Sequence, residues 1–258
     1  MSGLAGISVL LTRPLADTED LATTIESRGG IALRAPMIEI EPISPEAQRW
    51  PAPEADFTAT VFTSKRAVEF GFAAWSRRLA SKPAHTVCAV GPGTAAALGE
   101  VGVTSVVVPA SAFNSEGLLA LEVLAAEQVR GRTIVIIKGR GGRDVLTQAL
   151  RARGAEVGEV ECYVRRQAAV SIESLMARAS VAQVDFAVVT STESLNYLVK
   201  ALHQAGLRPI FDAQLIVPGR RIAQAVRAAG FTRDPLVVDN PANDSIIECL
   251  MNKAGTTS

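Results

Sequence analysis

Histidine and cysteine are scarce in this chain, which has 2 histidines and 3 cysteines among its 258 residues. His85 and His203 lie in unrelated stretches, which disfavours a histidine-based zinc site or a nucleophile activated by histidine. The cysteines, Cys88, Cys162 and Cys249, are odd in number and far apart. This pattern favours buried free thiols in a reducing compartment over disulfides.

The sequence also lacks net charge and long apolar runs. Lys and Arg total 26 and Asp and Glu total 26, a balance that disfavours general binding to nucleic acid or to a membrane surface. No apolar stretch approaches the length needed to span a bilayer. The N-terminus lacks the basic, apolar and cleavage regions of a signal peptide. We therefore expect a cytoplasmic protein without membrane attachment.

What the sequence does contain is an internal repeat. Three pairs of segments about half the chain apart share a pattern of strand, turn and helix: 59–75 with 186–202, 87–102 with 215–230, and 9–30 with 134–155. A duplication of this kind predicts two structurally similar halves. It constrains the architecture before any single motif is considered.

The apolar runs of the chain predict parallel sheets. Most are continuous rather than alternating, as in strands that are buried on both faces. Predicted helices between them are closed by glycines such as Gly102 and Gly206, which adopt the left-handed conformation readily. Repeated strand, helix and strand units predict an α/β fold with two doubly wound, Rossmann-like or flavodoxin-like domains. One further short strand is predicted at 105–109.

The order of the repeats predicts interleaved domains. Two long predicted strands, 31–43 and 157–170, are each able to leave one domain and enter the other. The first domain then comprises 1–40 plus 168–258, and the second comprises 44–163. Segments 36–43 and 162–168 form a two-stranded linker, so the second domain is inserted in the first. A tandem pair of Rossmann-like domains is the alternative.

Basic and hydroxyl residues follow many of the predicted strands. Ligands of open α/β sheets bind outside the carboxyl ends of the strands, where helix N-termini add partial positive charge. We therefore predict a site for a polyanionic small molecule there. The candidate binding residues are Arg13, Ser64, Lys65, Thr94, Lys138, Arg140, Ser191, Arg220 and Arg221.

Several of these residues also have structural explanations. Surface loops commonly carry Lys and Arg, and Ser64 and Ser191 are suited to capping the helices that follow them. Tyr163 lies in the second long strand, where a tyrosine is usually part of a core, although this strand is expected to run along the ligand site. Paired carboxylates, a Cys-His pair and a metal-ligand cluster are absent from the sequence. An enzyme of this kind would act mainly by binding and orienting a reactive substrate.

The motifs, taken in order, resemble the uroporphyrinogen-III synthase family over essentially the whole chain. They are LLTRP (10–14), VFTS (61–64), AVGPGTAAAL (89–98), SEGLL (115–119), LRARGAEV (150–157) and CYVRR (162–166). The resemblance implies two Rossmann-like domains joined by a two-stranded linker, with the second inserted in the first. It also implies cyclisation of hydroxymethylbilane, a linear tetrapyrrole, with loss of water and inversion of ring D, without metal or organic cofactor, in the biosynthesis of haem, sirohaem and cobalamin.

The resemblance also assigns residues. Tyr163 matches the family tyrosine proposed to assist departure of the hydroxyl, and Thr94 matches a threonine of the substrate cleft. Arg13, Ser64 and Ser191 match substrate-contacting positions. The family often has Asn soon after the first Thr-Ser pair, where this chain has Lys65 and Arg66.

A second departure lies in the later glycine loop, where Ile222 replaces a frequent threonine. The preceding Arg220 and Arg221 are expected to compensate by binding propionates. We expect a monomer that receives hydroxymethylbilane from hydroxymethylbilane synthase. A non-catalytic module of the same fold that senses tetrapyrroles or other polyanions is the alternative, and a two-domain nucleotide-sugar transferase is disfavoured because its acidic metal motif is absent.

Overall fold

The structure is a computed structural model that describes residues 3–51, 57–79, 85–142 and 144–254. The chain divides into two compact units, Met1–Glu39 with Arg166–Ser258, and Ile40–Arg165. We call these the first and the second unit. Among the described residues, none of the helices combines the length and apolarity that crossing a bilayer requires.

The strands of the described residues are short except for one. In chain order they are β1 (Ser8–Leu11), β2 (Ile31–Arg34), β3 (Ile38–Pro42), β4 (Phe57–Phe62), β5 (Thr86–Ala89), β6 (Thr133–Gly139), β7 (Glu156–Gln167), β8 (Phe186–Val188), β9 (Gln214–Pro218) and β10 (Leu236–Val238).

Helices connect most of these strands. They are α1 (Glu19–Ser27), α2 (Lys65–Leu79), α3 (Pro92–Glu100), α4 (Ser115–Leu119), α5 (Ala126–Val129), α6 (Val145–Ala152), α7 (Ile172–Arg178), α8 (Thr192–Ala205), α9 (Gly219–Ala228) and α10 (Asn243–Ala254). Short 3-10 turns lie at Leu15–Asp17, Glu122–Leu124 and Arg208–Asp212. Helix α8 is capped by Ser191 at its start and by Gly206 at its end. The φ of Gly206 is 67°, a left-handed conformation that glycine adopts readily.

The first unit contains a five-stranded sheet in the order β10-β9-β8-β1-β2, and its neighbouring strands pair in parallel. The second unit contains the sheet β3-β7-β6-β4-β5, in which β7, β6, β4 and β5 pair in parallel. The predicted α/β class with two domains and parallel sheets is thus confirmed. The strand order reverses between β1 and β8 in one sheet and between β4 and β6 in the other.

The repeated segments occupy corresponding places in the two sheets. The series β2-β1-β8-β9 of the first unit matches the series β7-β6-β4-β5 of the second. Three of the four pairs, β1 with β6, β8 with β4 and β9 with β5, overlap the repeated segment pairs found in the sequence, and β2 and β7 directly follow one of those pairs. The duplication is therefore visible as one sheet pattern used twice.

Apolar side chains cover both faces of each sheet. In β6, Val135 and Ile137 join one buried cluster, whereas Ile134 and Ile136 join the cluster on the opposite face. The first sheet is arranged in the same way, with Leu10 on one face and its neighbours on the other. Since successive strand residues point to opposite faces, continuous apolar runs are what a sheet covered on both sides requires.

Two strand predictions were wrong in detail. The predicted strand at 31–43 is interrupted and forms β2 and β3, because Pro36 between them has no N–H for a ladder. Residues 105–109 form only a single bridge between Val107 and Cys88, and Pro109 prevents the ladder from continuing. The other long strand is continuous as β7.

The chain passes between the units along β3 and along β7. Strand β3 lies beside β7 in the sheet order. Within the second unit, the N–H of Ile43 donates to the carbonyl of Cys162 at 2.9 Å, and within the first unit the N–H of Ala168 donates to the carbonyl of Met37 at 3.1 Å. The residue numbers run in opposite directions along these bonds, as in antiparallel strands.

Candidate active site

A polar cavity of about 320 Å³ lies at the carboxyl edge of the second unit's sheet. It is placed where the strand order reverses, between the ends of β4 and β6, which is the usual ligand position in such sheets. Its lining includes Thr63, Ser115, Lys138, Gly139, Tyr163 and Arg165. We call it the Tyr163 cavity.

Tyr163 is the central side chain of this cavity. Its side chain is almost fully buried, with 1% exposure, and its ring packs against Phe70 with a centroid separation of 6.1 Å. The phenol oxygen lies 3.1 Å from the Ser64 Oγ and 3.1 Å from the Arg165 Nη2. The tyrosine therefore combines a fixed ring with a polar tip that reaches hydrogen-bonding groups.

An irregularity in the pairing of β6 with β7 places this tyrosine. Lys138 pairs with Glu161, but the next residue, Gly139, pairs with Tyr163. The extra residue is a β-bulge, which redirects the side chains that follow it. A Cβ on Gly139 would lie 2.5 Å from ring atoms of Tyr163. Glycine is needed at this position because the ring occupies the space of a side chain.

Ser64 has two roles in the structure. Its Oγ accepts a hydrogen bond from the backbone N–H of Ala67 at 3.0 Å, which is the N-cap interaction predicted for helix α2. The same oxygen is the neighbour of the Tyr163 phenol. Ser191 caps α8 in the same manner, but its Oγ otherwise bonds the hydroxyl of Ser194 at 2.8 Å.

Lys138 and Arg140 are both paired with acids of β7. The Lys138 Nζ lies 2.8 Å from Glu159 and 3.6 Å from Asp144, and the Arg140 Nε lies 2.9 Å from Glu161. Burial raises the pKa of Glu159, but hydrogen bonds from Lys138 and Thr147 and nearby positive charge outweigh burial and lower it overall. The charges of these two basic residues are thus already balanced within the unit.

Arg13 is buried in the first unit, with 9% exposure. Its guanidinium donates to the Oδ1 of Asn243 at 2.9 Å and to the carbonyl of Pro241. Burial lowers the pKa of Arg13, and the charge of Asp17 opposes this change. The side chain holds the segment that precedes and begins α10.

Lys65 and Thr94 lie at the starts of neighbouring helices in the second unit. Thr94 is buried in the first turn of α3. Lys65 begins α2 and passes over this turn, because its Cε lies 2.9 Å from the place of a Cβ on Gly93. A bulkier residue than glycine would displace the lysine from the start of α3.

Arg220 and Arg221 are exposed in the first turn of α9 in the first unit. The next residue, Ile222, is buried in the apolar core. A threonine at this position would place a hydroxyl in that core, so the isoleucine contributes to packing rather than to a polar site.

The structure thus gathers part of the predicted set. Ser64, Lys138, Arg140 and Tyr163 meet around the β4–β6 reversal, whereas Arg13, Ser191, Arg220 and Arg221 belong to the other unit.

The sequence interpretation missed Gly139 and Arg165. Arg165 follows Tyr163 at the two-residue spacing that puts side chains on one strand face, which is a signal the sequence offered. In the described part of the chain, no cluster of three or more His, Cys, Asp or Glu side chains is arranged to hold a metal ion.

The fold and the site define a class. Each unit is a doubly wound α/β sheet, and helix N-termini, glycine backbone, hydroxyls and cations collect at its carboxyl edge. This combination is typical of α/β proteins that bind anionic small molecules.

The comparisons with known proteins identify the family. A family model described as Uroporphyrinogen-III synthase HemD matches residues 19–248. The chain is 30% identical to the uroporphyrinogen-III synthase of Escherichia coli K12 over 248 residues, covering 95% of this chain and 100% of the relative. It is 33% identical to that of Salmonella typhimurium LT2 over 253 residues, with coverages of 95% and 100%. The chain belongs to the uroporphyrinogen-III synthase family, and it is a cyclising lyase of tetrapyrrole biosynthesis.

Solved structures agree on the fold. A mutant uroporphyrinogen III synthase of Thermus thermophilus is similar with a TM-score of 0.62 and 17% identity, covering 98% of this chain and 100% of that chain. The uroporphyrinogen-III synthetase of Helicobacter pylori is similar with a TM-score of 0.60 and 14% identity, with coverages of 96% and 99%. The predicted family and fold are confirmed.

Proposed function

We propose that this chain cyclises hydroxymethylbilane to uroporphyrinogen III with loss of water and inversion of ring D, and that Tyr163 assists the departure of the hydroxyl. The observation that carries the assignment of Tyr163 is its phenol oxygen, held beside Ser64 and Arg165 in the Tyr163 cavity. The polar cavity supplies groups for a substrate, and the fixed phenol supplies a proton.

The proposed first step is elimination of water. The C–O bond of the hydroxymethyl group breaks as electrons from the attached pyrrole form an azafulvenium cation. The leaving oxygen takes the phenolic proton of Tyr163 and departs as water, which leaves a tyrosinate. A positioned general acid typically accelerates such a step by about 100-fold or more. The substituted carbon of ring D then attacks this cation and gives a spiro intermediate. The bond from that carbon to its original methylene breaks, the methylene bonds to the free α-carbon of ring D, and the proton lost from this carbon restores the phenol of Tyr163. Binding in a folded conformation favours this attack over direct closure to the uninverted isomer.

The other predicted residues are proposed to bind the eight carboxylates of the substrate. Arg220 and Arg221 are the strongest candidates, because both are exposed at a helix N-terminus and arginine forks suit carboxylates. Lys65 at the start of α2 is a further candidate. Arg13, Ser64, Thr94, Lys138, Arg140 and Ser191 remain proposed substrate contacts, with Lys138 and Arg140 exchanging their present acidic partners for carboxylates of the substrate.

Product analysis tests the proposed reaction. Hydroxymethylbilane is generated enzymatically and supplied to the purified protein, and the oxidised products are separated by chromatography. We expect an excess of the type III isomer, whereas buffer alone gives type I. Type I alone in the presence of the protein would reject the reaction.

Replacement of Arg220 and Arg221 by alanine tests the binding residues. We expect KM for hydroxymethylbilane to rise about 10-fold with little change in kcat, since lost uniform binding affects KM. An unchanged KM would remove both arginines from the binding set.

We further propose a cytoplasmic monomer that receives its substrate from hydroxymethylbilane synthase. The free cysteines Cys88, Cys162 and Cys249 support a reducing compartment. Sedimentation at micromolar concentration with and without hydroxymethylbilane synthase tests the monomeric state and the hand-over. Dimer formation by the chain alone would contradict the monomer, and a mixture that sediments as two separate species even during turnover would argue against a hand-over complex.

A further inference from the structure

The phenol oxygen of Tyr163 has two polar neighbours whose hydrogen-bond directions are coupled. The Nη2 of Arg165 lies at 3.1 Å, and its guanidinium carbon lies 5.4 Å from the centre of the tyrosine ring. Arginine can only donate hydrogen bonds. The tyrosine oxygen is therefore the acceptor in this contact, and its own proton points elsewhere.

The direction of the second contact depends on Ser64. The Ser64 Oγ already accepts the N–H of Ala67 as the cap of α2. Its hydroxyl proton can be donated to Tyr163, or Tyr163 can donate to it. Only the first arrangement leaves the phenolic proton available to a substrate in the cavity.

We propose that Arg165 is a positioning residue that, together with Ser64, holds the proton of Tyr163 toward the cavity. As this proton is transferred, negative charge develops on the phenol oxygen. Two donors aimed at that oxygen then gain strength, and the guanidinium adds positive charge beside it. An interaction that strengthens in the transition state raises kcat. This inference rests on the proposed role of Tyr163.

The surroundings of Arg165 distinguish it from the other cations of the cavity. Lys138 and Arg140 are neutralised by Glu159 and Glu161. Among the hydrogen bonds and ion pairs of the described residues, the Arg165 side chain makes only the bond to Tyr163. Its placement two residues after Tyr163 brings both side chains to one face of β7. Its guanidinium therefore lies against the phenol, and it forms no ion pair with an acid of the described residues.

Steady-state kinetics of three variants test the proposal. For Arg165→Met we expect kcat to fall about 10-fold, as for loss of one charged hydrogen bond in the transition state, with KM changed less than about 2-fold. Arg165→Lys retains the charge and is expected to recover part of the loss. Arg166→Met, the adjacent arginine on the same strand, is the matched control, with kcat within about 2-fold of the parent.

A double-mutant cycle shows whether Arg165 acts through the phenol. In a Tyr163→Phe background, Arg165→Met should lower kcat by less than about 2-fold, because the group it positions is gone. A full 10-fold loss in that background would overturn the proposal. So would a rise in KM with unchanged kcat, which is the result for an arginine that only binds a carboxylate.

The failures are distinguishable. A parent enzyme that yields only type I product contradicts the proposed reaction. If Tyr163→Phe retains full kcat, the proposed acid and the inference fail together. If Tyr163→Phe is slow while Arg165→Met is not, the inference alone is wrong. Circular dichroism and thermal melts of each variant exclude misfolding as the cause of a loss.

Discussion

The two units carry corresponding strands in the same spatial order, but the side chains at corresponding places make different contacts. Within the described part of the chain, the hydroxyl of the capping Ser191 bonds only to Ser194 in its own helix start, whereas that of Ser64 also reaches Tyr163. Strand β2, the counterpart of β7, ends at Arg34, before Pro36, and β7 continues to Gln167. The duplication therefore supplies a common frame, and the longer strand adds Tyr163, with its contacts to Ser64 and Arg165, to one copy.

The loops that follow β5 and β9, another pair of corresponding strands, differ in a similar way. Thr94 and Ile222 take corresponding positions in α3 and α9, and both are buried. The first-turn residues before them are Pro92 and Gly93 in one copy and Arg220 and Arg221 in the other. The second unit thus presents backbone and hydroxyl groups where the first presents charge. This difference supports the proposal that the second unit supplies the chemistry and the first binds carboxylates.

The largest expected effect comes from replacing Tyr163 in the second unit, and Tyr197 in the first unit provides the matched control. Tyr163→Phe should lower kcat by about 100-fold or more, because it removes a general acid. Tyr197→Phe, on α8 of the first unit, should leave kcat within about 2-fold of the parent. Steady-state assays of hydroxymethylbilane consumption measure both. Equal losses in the two variants would abolish the contrast between the units.

The glycine under the tyrosine ring is expected to be the next most sensitive position. Gly139→Ala should destabilise the protein by about 1–3 kcal/mol, because the added methyl overlaps the ring, and should also lower kcat. Gly99→Ala in α3 is the control. Among the described residues, no atom beyond its chain neighbours and its own helix backbone lies within 4 Å of its Cβ position, so Gly99→Ala should stabilise the protein by about 0.5–1 kcal/mol. Urea unfolding measures both, and a neutral Gly139→Ala would mean that the ring can move.

The two capping serines provide a direct test of the comparison. Ser64→Ala and Ser191→Ala should each reduce the free energy of unfolding by about 1 kcal/mol through loss of the N-cap. Only Ser64→Ala should also lower kcat, by about 10-fold, because the phenol loses a donor. Similar kcat values for the two variants would show that capping is the whole role of Ser64.

The smallest effect is expected from pH and concerns the second unit alone. Burial, the largest influence, lowers the pKa of His85, and a backbone hydrogen bond with Phe57 partly opposes it. The neutral ring is therefore favoured in the folded state. Its contribution to stability is present above the unfolded pKa of about 6.5 and is lost as pH falls below it, because the unfolded chain binds the proton more readily.

Tryptophan fluorescence can measure this effect selectively. Both tryptophans, Trp50 and Trp75, belong to the second unit, and Trp75 shares the hydroxyl of Thr60 with His85. The urea midpoint of this signal should decrease as the pH is lowered from 8 to about 5.5. His85→Gln should reduce that dependence. An identical pH dependence in both proteins would assign the effect to other groups.

Much of the fold could be predicted from local patterns in the sequence. Continuous apolar runs predicted parallel sheets, and β6 appears with the residues 133–139 that its run indicates. The capping roles of Ser64 and Ser191 also followed from their positions before helices. These features depend on residues that are close together in the sequence, so local sequence patterns predict them. The interruption at 31–43 is local as well, since Pro36 has no N–H to continue a ladder.

The site was only partly readable. Tyr163 was singled out through its strand and the family resemblance, but its partner Arg165 and the glycine beneath its ring were not. Lys138 and Arg140 appeared as free cations in the sequence, whereas Glu159 and Glu161 of β7 neutralise them. Such pairings join residues about 20 positions apart. Pattern within one segment does not specify which side chains of two strands face each other.

By itself the sequence determined the α/β class, the duplication and the family, because apolar periodicity, helix caps and motif order are properties of contiguous residues. Only the tertiary structure decided which side chains the two copies of the duplicated frame bring together at their carboxyl edges. A bulge of one residue between β6 and β7 sets Tyr163 over Gly139 and within reach of Ser64. Register across a sheet is fixed by the packing of whole strands, and a shift of one residue changes which groups meet.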